Sequence, residues 1–332
     1  MMRAQPTVQQ IAAAAHVSPA TVSRVLTGSV RVTTGARQRV YAAMAQLGYV
    51  RRDVRQHGLR KPPVVALVIC EPTARVFADP FFARLAAGTE AELSIHGSPM
   101  PILTAARDNL AGIERYLLTG GADGVLLVSA YHQHPVARAV AASPVPVRGV
   151  GRPAGLDLPF VDVDNRGGAR TAVRHLLRSG RRRVATIGGP PDLPAAADRL
   201  AGYREAMAEA GIEPAATAYG DFTQASGTHA MQWLISRAPT IDAVFVASDA
   251  MAVGALHALR RAGRAVPDDV ALVGFDDAPV ATMIQPALTT VRQPAEQLGR
   301  IACRLLLADI TEDRPSSDTV ILPTELVRRG SA

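Results

Sequence analysis

Apolar residues in the first fifty positions recur at helical spacing in short clusters, and the pattern changes near residue 64. Thr7-Val-Gln-Gln10 has the form of a capping box, in which a hydroxyl and a glutamine side chain satisfy helix-start amides reciprocally, so a helix is predicted there. Ile11, Ala12 and Ala15 give it a short apolar face. His16-Val17 interrupts the pattern. Ser18-Pro19 then offers an N-cap with proline at the first helical position, which predicts a second helix from Pro19. Val22, Val25 and Leu26 lie on its inner side and leave Ala20, Ser23 and Arg24 outward. Thr33 or Thr34 caps a third helix, with Val40, Met44 and Leu47 inward and Gly48 as its C′ residue.

From Val64 onward, short apolar runs alternate with helical stretches. The runs are Val64-Ile69, Gly124-Val128, Val145-Val150, Val184-Ile187, Ala243-Val246 and Ala271-Phe275. Between them lie segments such as Phe82-His96, Gly168-Arg178, Arg199-Ala210 and Ala250-Ala262. This is βαβ alternation, which predicts parallel sheets covered by helices on both faces. The length of 332 residues accommodates more than one such sheet.

Composition changes the picture mainly through charge. The net charge of +7 is concentrated at the start, where Arg3, Arg24, Arg31, Arg37, Arg39, Arg51, Arg52, Arg55, Arg60 and Lys61 face a single acid, Asp53. The remainder is slightly acidic. A local basic patch is the footprint of a polyanion partner. No N-terminal apolar run follows a charged start, so the chain is expected to stay in the cytoplasm, with no membrane partner. Cys70 and Cys303 stand far apart without a CxxC partner, which encodes neither a disulfide framework nor a zinc site.

A helix, a turn and a second helix with an exposed Ser/Arg face make a helix-turn-helix unit, whose second helix enters the major groove. The run Val17-Ser18-Pro19-Ala20-Thr21-Val22-Ser23-Arg24-Val25-Leu26, followed by Val32-Thr33, Arg39-Val40 and Leu47-Gly48-Tyr49, resembles the headpiece of the LacI/GalR family of transcriptional regulators. The resemblance implies that Pro19, Ala20 and Arg24 read base edges and that Thr21 and Ser23 grip phosphates. Thr7, Ser18, Thr33, Arg37 and Leu59 complete the implied DNA-binding set. Arg24 is chemically suited to its role, since a guanidinium donates two parallel hydrogen bonds to guanine O6 and N7. His16 departs from the family's usual turn glycine, but histidine tolerates positive φ better than most residues.

Residues 49–62 read as a basic hinge ending at Pro62-Pro63. In the family, this linker folds on DNA as a paired helix that wedges a leucine into the minor groove. Here Gly58 occupies the leucine position and Leu59 follows one later, so Leu59 is the candidate wedge and a solvated basic tether is the alternative.

The resemblance continues along the chain through Asp79-Pro80-Phe81-Phe82, Gly121-Ala-Asp-Gly124-Val125, Asp164-Asn165, Arg199-Leu200-Ala201-Gly202-Tyr203, Ser248-Asp249-Ala250-Met251-Ala252, Gly274-Phe275-Asp276-Asp277 and Leu288-Thr289-Thr290-Val291. It implies an all-α helix-turn-helix headpiece (1–48) joined to an α/β core (63–332) similar to periplasmic binding proteins. That core has two parallel-sheet lobes, at about 63–160 with 291–319 and about 161–290 with 320–332, and the chain crosses near Val161, Thr290 and Val320. The effector site implied by the resemblance comprises Asp79, Phe81, Phe82, Asp164, Arg199, Phe222, Ser248 and Asp276. Carboxylates and a guanidinium suit vicinal hydroxyls, and aromatic faces suit a sugar ring. Phe81 and Phe82 are alternatively core residues at a helix start, and Asp164 alternatively an N-cap.

Catalysis has no candidate. Lys61, the only lysine, does not complete a phosphate-binding loop, no GxSxG elbow occurs, and Gly149-Val-Gly151 runs into Arg-Pro-Ala. His132 and His134 form an HxH without carboxylate or cysteine support, so no metal is expected. The reading that follows is a cytoplasmic, nucleoid-associated repressor and not an enzyme. Its partners are double-stranded operator DNA, a second copy of itself in a homodimer (a tetramer being the alternative) and a small sugar-like effector, with no cofactor. A periplasmic-type solute-binding protein shares the core and stands as the alternative, although it has no use for residues 1–60.

Overall fold

A computed structural model describes residues 7–26, 32–47, 62–105, 110–312 and 318–332. Leu59, Gly58 and nearly all of the expected hinge lie outside the described residues.

Three helices form the headpiece: α1 (Val8–Ala14), α2 (Pro19–Leu26) and α3 (Thr34–Leu47). The capping box forms as expected. The Gln10 amide donates to Thr7 Oγ1 at 3.3 Å, and the Thr7 amide donates to Gln10 Oε1 at 2.7 Å. His16 takes φ +52°, a left-handed turn that redirects the chain from α1 into α2. Ile11, Ala12, Ala15, Val22, Val25, Val40, Ala43 and Met44 meet in a small core. Arg39 Nε donates to the Ala15 carbonyl at 3.2 Å, placing a cation at the end of α1 where the helix dipole is negative. Leu47 is not in this core. It occupies the last position of α3 and is 37% exposed, because the contacts from the two shorter helices end at Met44.

The first lobe is built on β1 (Val65–Ile69), β2 (Ile102–Thr104), β3 (Gly124–Val128), β4 (Val147–Val150), β5 (Phe160–Val163) and β11 (Val320–Leu322). All six strands run parallel in the order β11-β5-β4-β3-β1-β2. Every residue of β1 is buried, and the strand feeds two cores by alternation. Val65, Leu67 and Ile69 pack with α5 (Pro80–Ser94) and α13 (Ala295–Glu312) on one face. Ala66 and Val68 pack with α6 (Leu110–Leu118) and α7 (Pro135–Ala141) on the other. A strand buried on both faces must be apolar at every position, which is why these segments read as continuous runs. α5 and α13 approach so closely that a Cβ on Gly88 would lie 1.9 Å from the Glu296 carbonyl oxygen. Arg148 on β4 is fully buried and pairs with Asp309 of α13 at 2.8 Å.

The second lobe repeats the arrangement. Its strands are β6 (Val184–Gly188), β7 (Thr217–Tyr219), β8 (Ala243–Val246), β9 (Ala271–Asp276), β10 (Thr289–Arg292) and β12 (Glu325–Val327), in the order β12-β10-β9-β8-β6-β7. α8 (Asn165–Arg178) and α9 (Pro194–Glu209) cover one face, and α10 (Gln224–Arg237) and α11 (Asp249–Arg261) the other. β12 is antiparallel to β10, so this sheet departs from the all-parallel expectation at one edge.

The crossings fall two or three residues later than the sequence suggests. Val161 pairs with Val150 and Val320, so β5 and β11 belong to the first sheet to their ends. Thr290 pairs with Gly274, so β10 belongs to the second. The chain therefore crosses at Asp164, at Gln293 and after Leu322, once each strand is complete.

Candidate functional site

Two surfaces carry chemistry. At the tip, Ser18, Pro19, Ala20, Ser23 and Arg24 are exposed together at the start and outer face of α2, and Thr21 is half-buried beside them. Ser18 Oγ accepts from the Thr21 amide at 3.1 Å and lies 2.9 Å from Thr21 Oγ1, which fixes both hydroxyls at the helix start. Thr7 and Thr33 are N-terminal to α1 and α3, and Thr33 Oγ1 accepts from the Ala36 amide at 3.4 Å. Arg37 lies in the first turns of α3. Each of the three helix starts has a hydroxyl beside its first amides and no acidic residue in its first turn, so the positive end of each helix dipole stands unopposed by an acid of its own.

The second surface is a cleft between the lobes, partly open to solvent. Asp79, Phe81 and Phe82 enter it from the first lobe, and Arg199, Phe222, Ser248 and Asp276 from the second. Asp79 is the N-cap of α5, where it accepts from the Phe81 amide at 3.0 Å. Phe81 and Phe82 meet edge to face at 5.4 Å, with Phe82 buried against the sheet and Phe81 half-buried at the cleft. Ser248 caps α11.

Arg199 organises the second wall. It is 6% exposed, donates through Nε to Asn165 Oδ1 at 2.9 Å and through Nη1 to the Ala247 carbonyl at 2.7 Å, and stacks 3.7 Å from the Phe275 ring centroid. Asp276 Oδ1 lies 3.5 Å from its Nη1 and accepts from Gln293 Nε2 at 2.6 Å. Burial pushes the Asp276 carboxyl up to about 7, against the pull of Arg199, and neighbouring Asp79 adds to the rise. The Asp79 carboxyl is likewise raised by burial and partly restored by the Phe81 amide. Arg199 keeps its charge, because guanidinium remains protonated even when desolvated. Ser129, Phe222 and Asp276, all lining the cleft, have φ of +53°, +67° and +123°. Non-glycine residues held there are strained, and such strain collects at working sites.

Asp164 does not join the others. It is exposed and turned back to accept from the Gly167 amide at 2.7 Å as the N-cap of α8. Its neighbours on either side face the cleft instead. Asp162, at the end of β5, accepts from the amides of Arg152 and Val163 and from Asn165 Nδ2. Sequence reasoning missed Asp162 and Asn165, along with Arg75, Ser129, Arg152 and Gln293. A signal existed for some of them. Ser129, Arg152 and Asp162 stand at or just beyond the carboxyl ends of strands, where open α/β sheets hold ligands. Nothing local marks Arg75.

The lobes also touch across the cleft mouth. Arg152 Nη2 pairs with Asp198 of α9 at 2.7 Å, the His132 amide donates to the Asp192 carbonyl at 3.2 Å, and Arg84 Nη1 reaches the carbonyls of Asp276 and Asp277 at 3.4 and 3.3 Å. His134 precedes α7 as its N-cap residue. No group of metal-binding side chains occurs among the described residues, and none of their helices is long and apolar enough to cross a membrane.

Comparison with known proteins agrees with this two-part plan. Residues 7–52 match the model for bacterial regulatory proteins of the lacI family, and residues 173–332 match a periplasmic binding protein-like domain. The chain is 42% identical to the HTH-type transcriptional regulator CelR of Thermobifida fusca, over 99% of each protein. A solved CelR–cellobiose complex superposes with a TM-score of 0.78 at 41% identity, covering 99% of this chain and 100% of that one. The lac repressor dimer bound to operator and the anti-inducer ONPF superposes with a TM-score of 0.73 at 25% identity, covering 99% of both chains. With its DNA-reading headpiece and two-lobed core, the chain belongs to the LacI family of bacterial transcriptional regulators.

Proposed function

We propose that this regulator is a cytoplasmic repressor whose tip holds operator DNA and whose cleft binds an uncharged saccharide or related polyol that sets operator affinity. The observation that carries this reading is a single cleft walled by both lobes. A ligand touching Asp79 and Phe81 from one side and Arg199 and Asp276 from the other has different affinities for open and closed arrangements. That difference is the requirement for coupling to a second site. The cellobiose in the CelR complex supports a saccharide. Local charge supports an uncharged one, because Arg152 and Arg199 are engaged by Asp198 and by Asn165, Ala247 and Asp276, while Asp79 and Asp276 oppose a phosphate. In this assignment Asp79, Asn165, Arg199, Ser248, Asp276 and Gln293 bond hydroxyls, and Phe81 and Phe222 offer ring faces.

At the tip, Arg24 bonds guanine while Pro19 and Ala20 add apolar contact. Thr7, Ser18, Thr21, Ser23, Thr33 and Arg37 hold phosphates, and Leu59 is the minor-groove wedge. One short helix reads few bases, so two copies act as a homodimer on half-sites about one helical turn apart. The operator-bound dimer of the lac repressor supports this assembly, and so do the exposed Ile95 and Ile102 of the first lobe and Met283 of the second. The protein works by binding, without cofactor or catalysis.

Mobility shift of operator fragments over a salt series, paired with a thermal-shift screen of sugars, tests the reading. DNA affinity is expected to fall steeply with salt, because releasing counterions into a more concentrated salt solution gains less entropy, while the stabilising sugar keeps its affinity. A protein that prefers no genomic fragment, at low salt and with each sugar present or absent, is not this regulator.

A further inference from the structure

The cleft holds a chain of contacts of which the effector assignment uses only Phe222. Glu71, two residues beyond β1, is 4% exposed. The Tyr131 hydroxyl, from the loop after β3, donates to Glu71 Oε1. The other oxygen, Oε2, lies 3.5 Å from Arg75 Nε, one turn onward in α4 (Thr73–Ala78). One carboxylate thus takes a phenol on one side and a guanidinium on the other, which restricts where the guanidinium aims. Arg75 Nη1 donates across the cleft to the Asp221 carbonyl of the second lobe, and its guanidinium carbon lies 5.3 Å from the Phe222 ring centroid.

The receiving turn is held by hydrogen bonds of its own. Asp221 Oδ1 accepts from the Thr223 amide at 3.0 Å and from the Thr223 hydroxyl at 2.6 Å, and the Asp221 amide donates to Ser226 Oγ at 3.0 Å. Phe222 sits at φ +67° with its ring against Gly189, where a Cβ would come within 2.3 Å of the ring. An arginine held on its own lobe by one ion pair, with its Nε buried and making no hydrogen bond, therefore meets a hydrogen-bonded turn and a ring on the other. Desolvated cation–π and charge-assisted contacts of this kind are strong enough to bias a two-state hinge.

We propose that Arg75 is the latch that holds the two lobes closed, gripping the Asp221 carbonyl and the Phe222 ring, and that Glu71 and Tyr131 are positioning residues that aim it. This deepens the effector-controlled reading, on which it rests for its consequence but not for its test. Loss of the latch opens the cleft. Loss of the aiming residues does the same to a smaller degree, and only while Arg75 is present.

The test measures lobe separation directly in the full chain, by electron–electron distance spectroscopy between spin labels on the exposed residues Glu114 and Gln232, with Cys70 and Cys303 left buried. Arg75→Ala is expected to shift or broaden the distance distribution by more than about 2 Å. Tyr131→Phe and Glu71→Gln are expected to move it in the same direction by less. Adding Tyr131→Phe to Arg75→Ala is expected to change nothing further, a result that a merely structural tyrosine would not give. An unchanged distribution in Arg75→Ala overturns the latch. An equal effect of Tyr131→Phe with and without Arg75 overturns its positioning role. Thermal melts identify any variant that has lost its fold, and Tyr131→Phe, which removes one hydroxyl, then carries the test with Arg75→Lys in place of the alanine. Neither DNA nor sugar is present, so failure here leaves the regulator reading standing, and failure of operator or sugar binding leaves the latch standing.

Discussion

The tip and the cleft use arginine in opposite ways. Arg24 stands exposed on a short helix, held in place by a core of eight small or medium side chains. Arg199 is 6% exposed, crossed by a carbonyl, an amide oxygen, a carboxylate and an aromatic face. An exposed cation attracts a polyanion at long range and is screened by salt. A buried one contributes geometry, at the cost of a desolvation that its neighbours must offset. The contrast teaches that the same residue type presents a solvated charge at one end of the molecule and a fixed hydrogen-bonding geometry at the other.

The largest effect is expected from breaking the buried side. Arg199→Ala leaves Asp276 without its counter-charge and is expected to cost about 3–5 kcal/mol of stability, together with loss of effector binding. Denaturant unfolding and calorimetry check both, and a stable variant with normal binding would show that Arg199 only lines the cleft. Next is the exposed side. Arg24→Ala is expected to lose about 1–3 kcal/mol of discrimination at one base pair while weak nonspecific binding persists. Unchanged operator preference in a competition assay would remove Arg24 as a base reader.

A finer probe is pH. The folded-state value of about 7 for Asp276 lies above its ordinary value of about 3.9, so this group favours the folded state most at low pH. Its contribution is lost as pH rises from about 4 to about 7. Sugar hydroxyls donate to the ionised carboxylate, so effector affinity is expected to move the other way and rise through that window. Asp276→Asn is expected to flatten the affinity profile in titration calorimetry and to reduce, without abolishing, the slope of the stability profile in denaturant unfolding, because burial also raises Asp249 and Asp79. The smallest effect belongs to the solvent-facing pair Arg174–Glu209 at 2.6 Å between α8 and α9. Glu209→Gln is expected to change stability by no more than about 1 kcal/mol, because exposed ion pairs are screened. A larger change in its unfolding midpoint would blur the division between exposed and buried charge.

Legibility in the sequence followed the same division. The capping box at Thr7, the proline-led start of α2 and the positive φ of His16 depend on neighbours within a few residues, and all three were readable. Leu47 was misplaced because periodicity alone does not tell where a partner helix ends. In the core, the apolar runs announced the central strands. The short edge strands β2, β7 and β12 carried little signal, since each is only three residues long with one of them exposed, and their pairing comes from distant segments. Asp164 illustrates the limit at the site. Family pattern and chemistry both favoured it, but whether an aspartate at the start of a helix turns toward the cleft or back to its own amides depends on which lobe its neighbours join.

What the amino-acid order by itself determined is the local grammar: where helices begin, which strands are buried on both faces, and that positive charge gathers before residue 62. Those features arise from contacts a few residues long and from composition. The tertiary structure alone decided that Arg75 and Asp221, 146 positions apart, touch across the cleft, that Asp162 and Asn165 face it, and that Arg148 finds Asp309 inside the first lobe. The physical reason is that hydrogen bonds and ion pairs depend on separation in space, which the chain sets only once both sheets have closed.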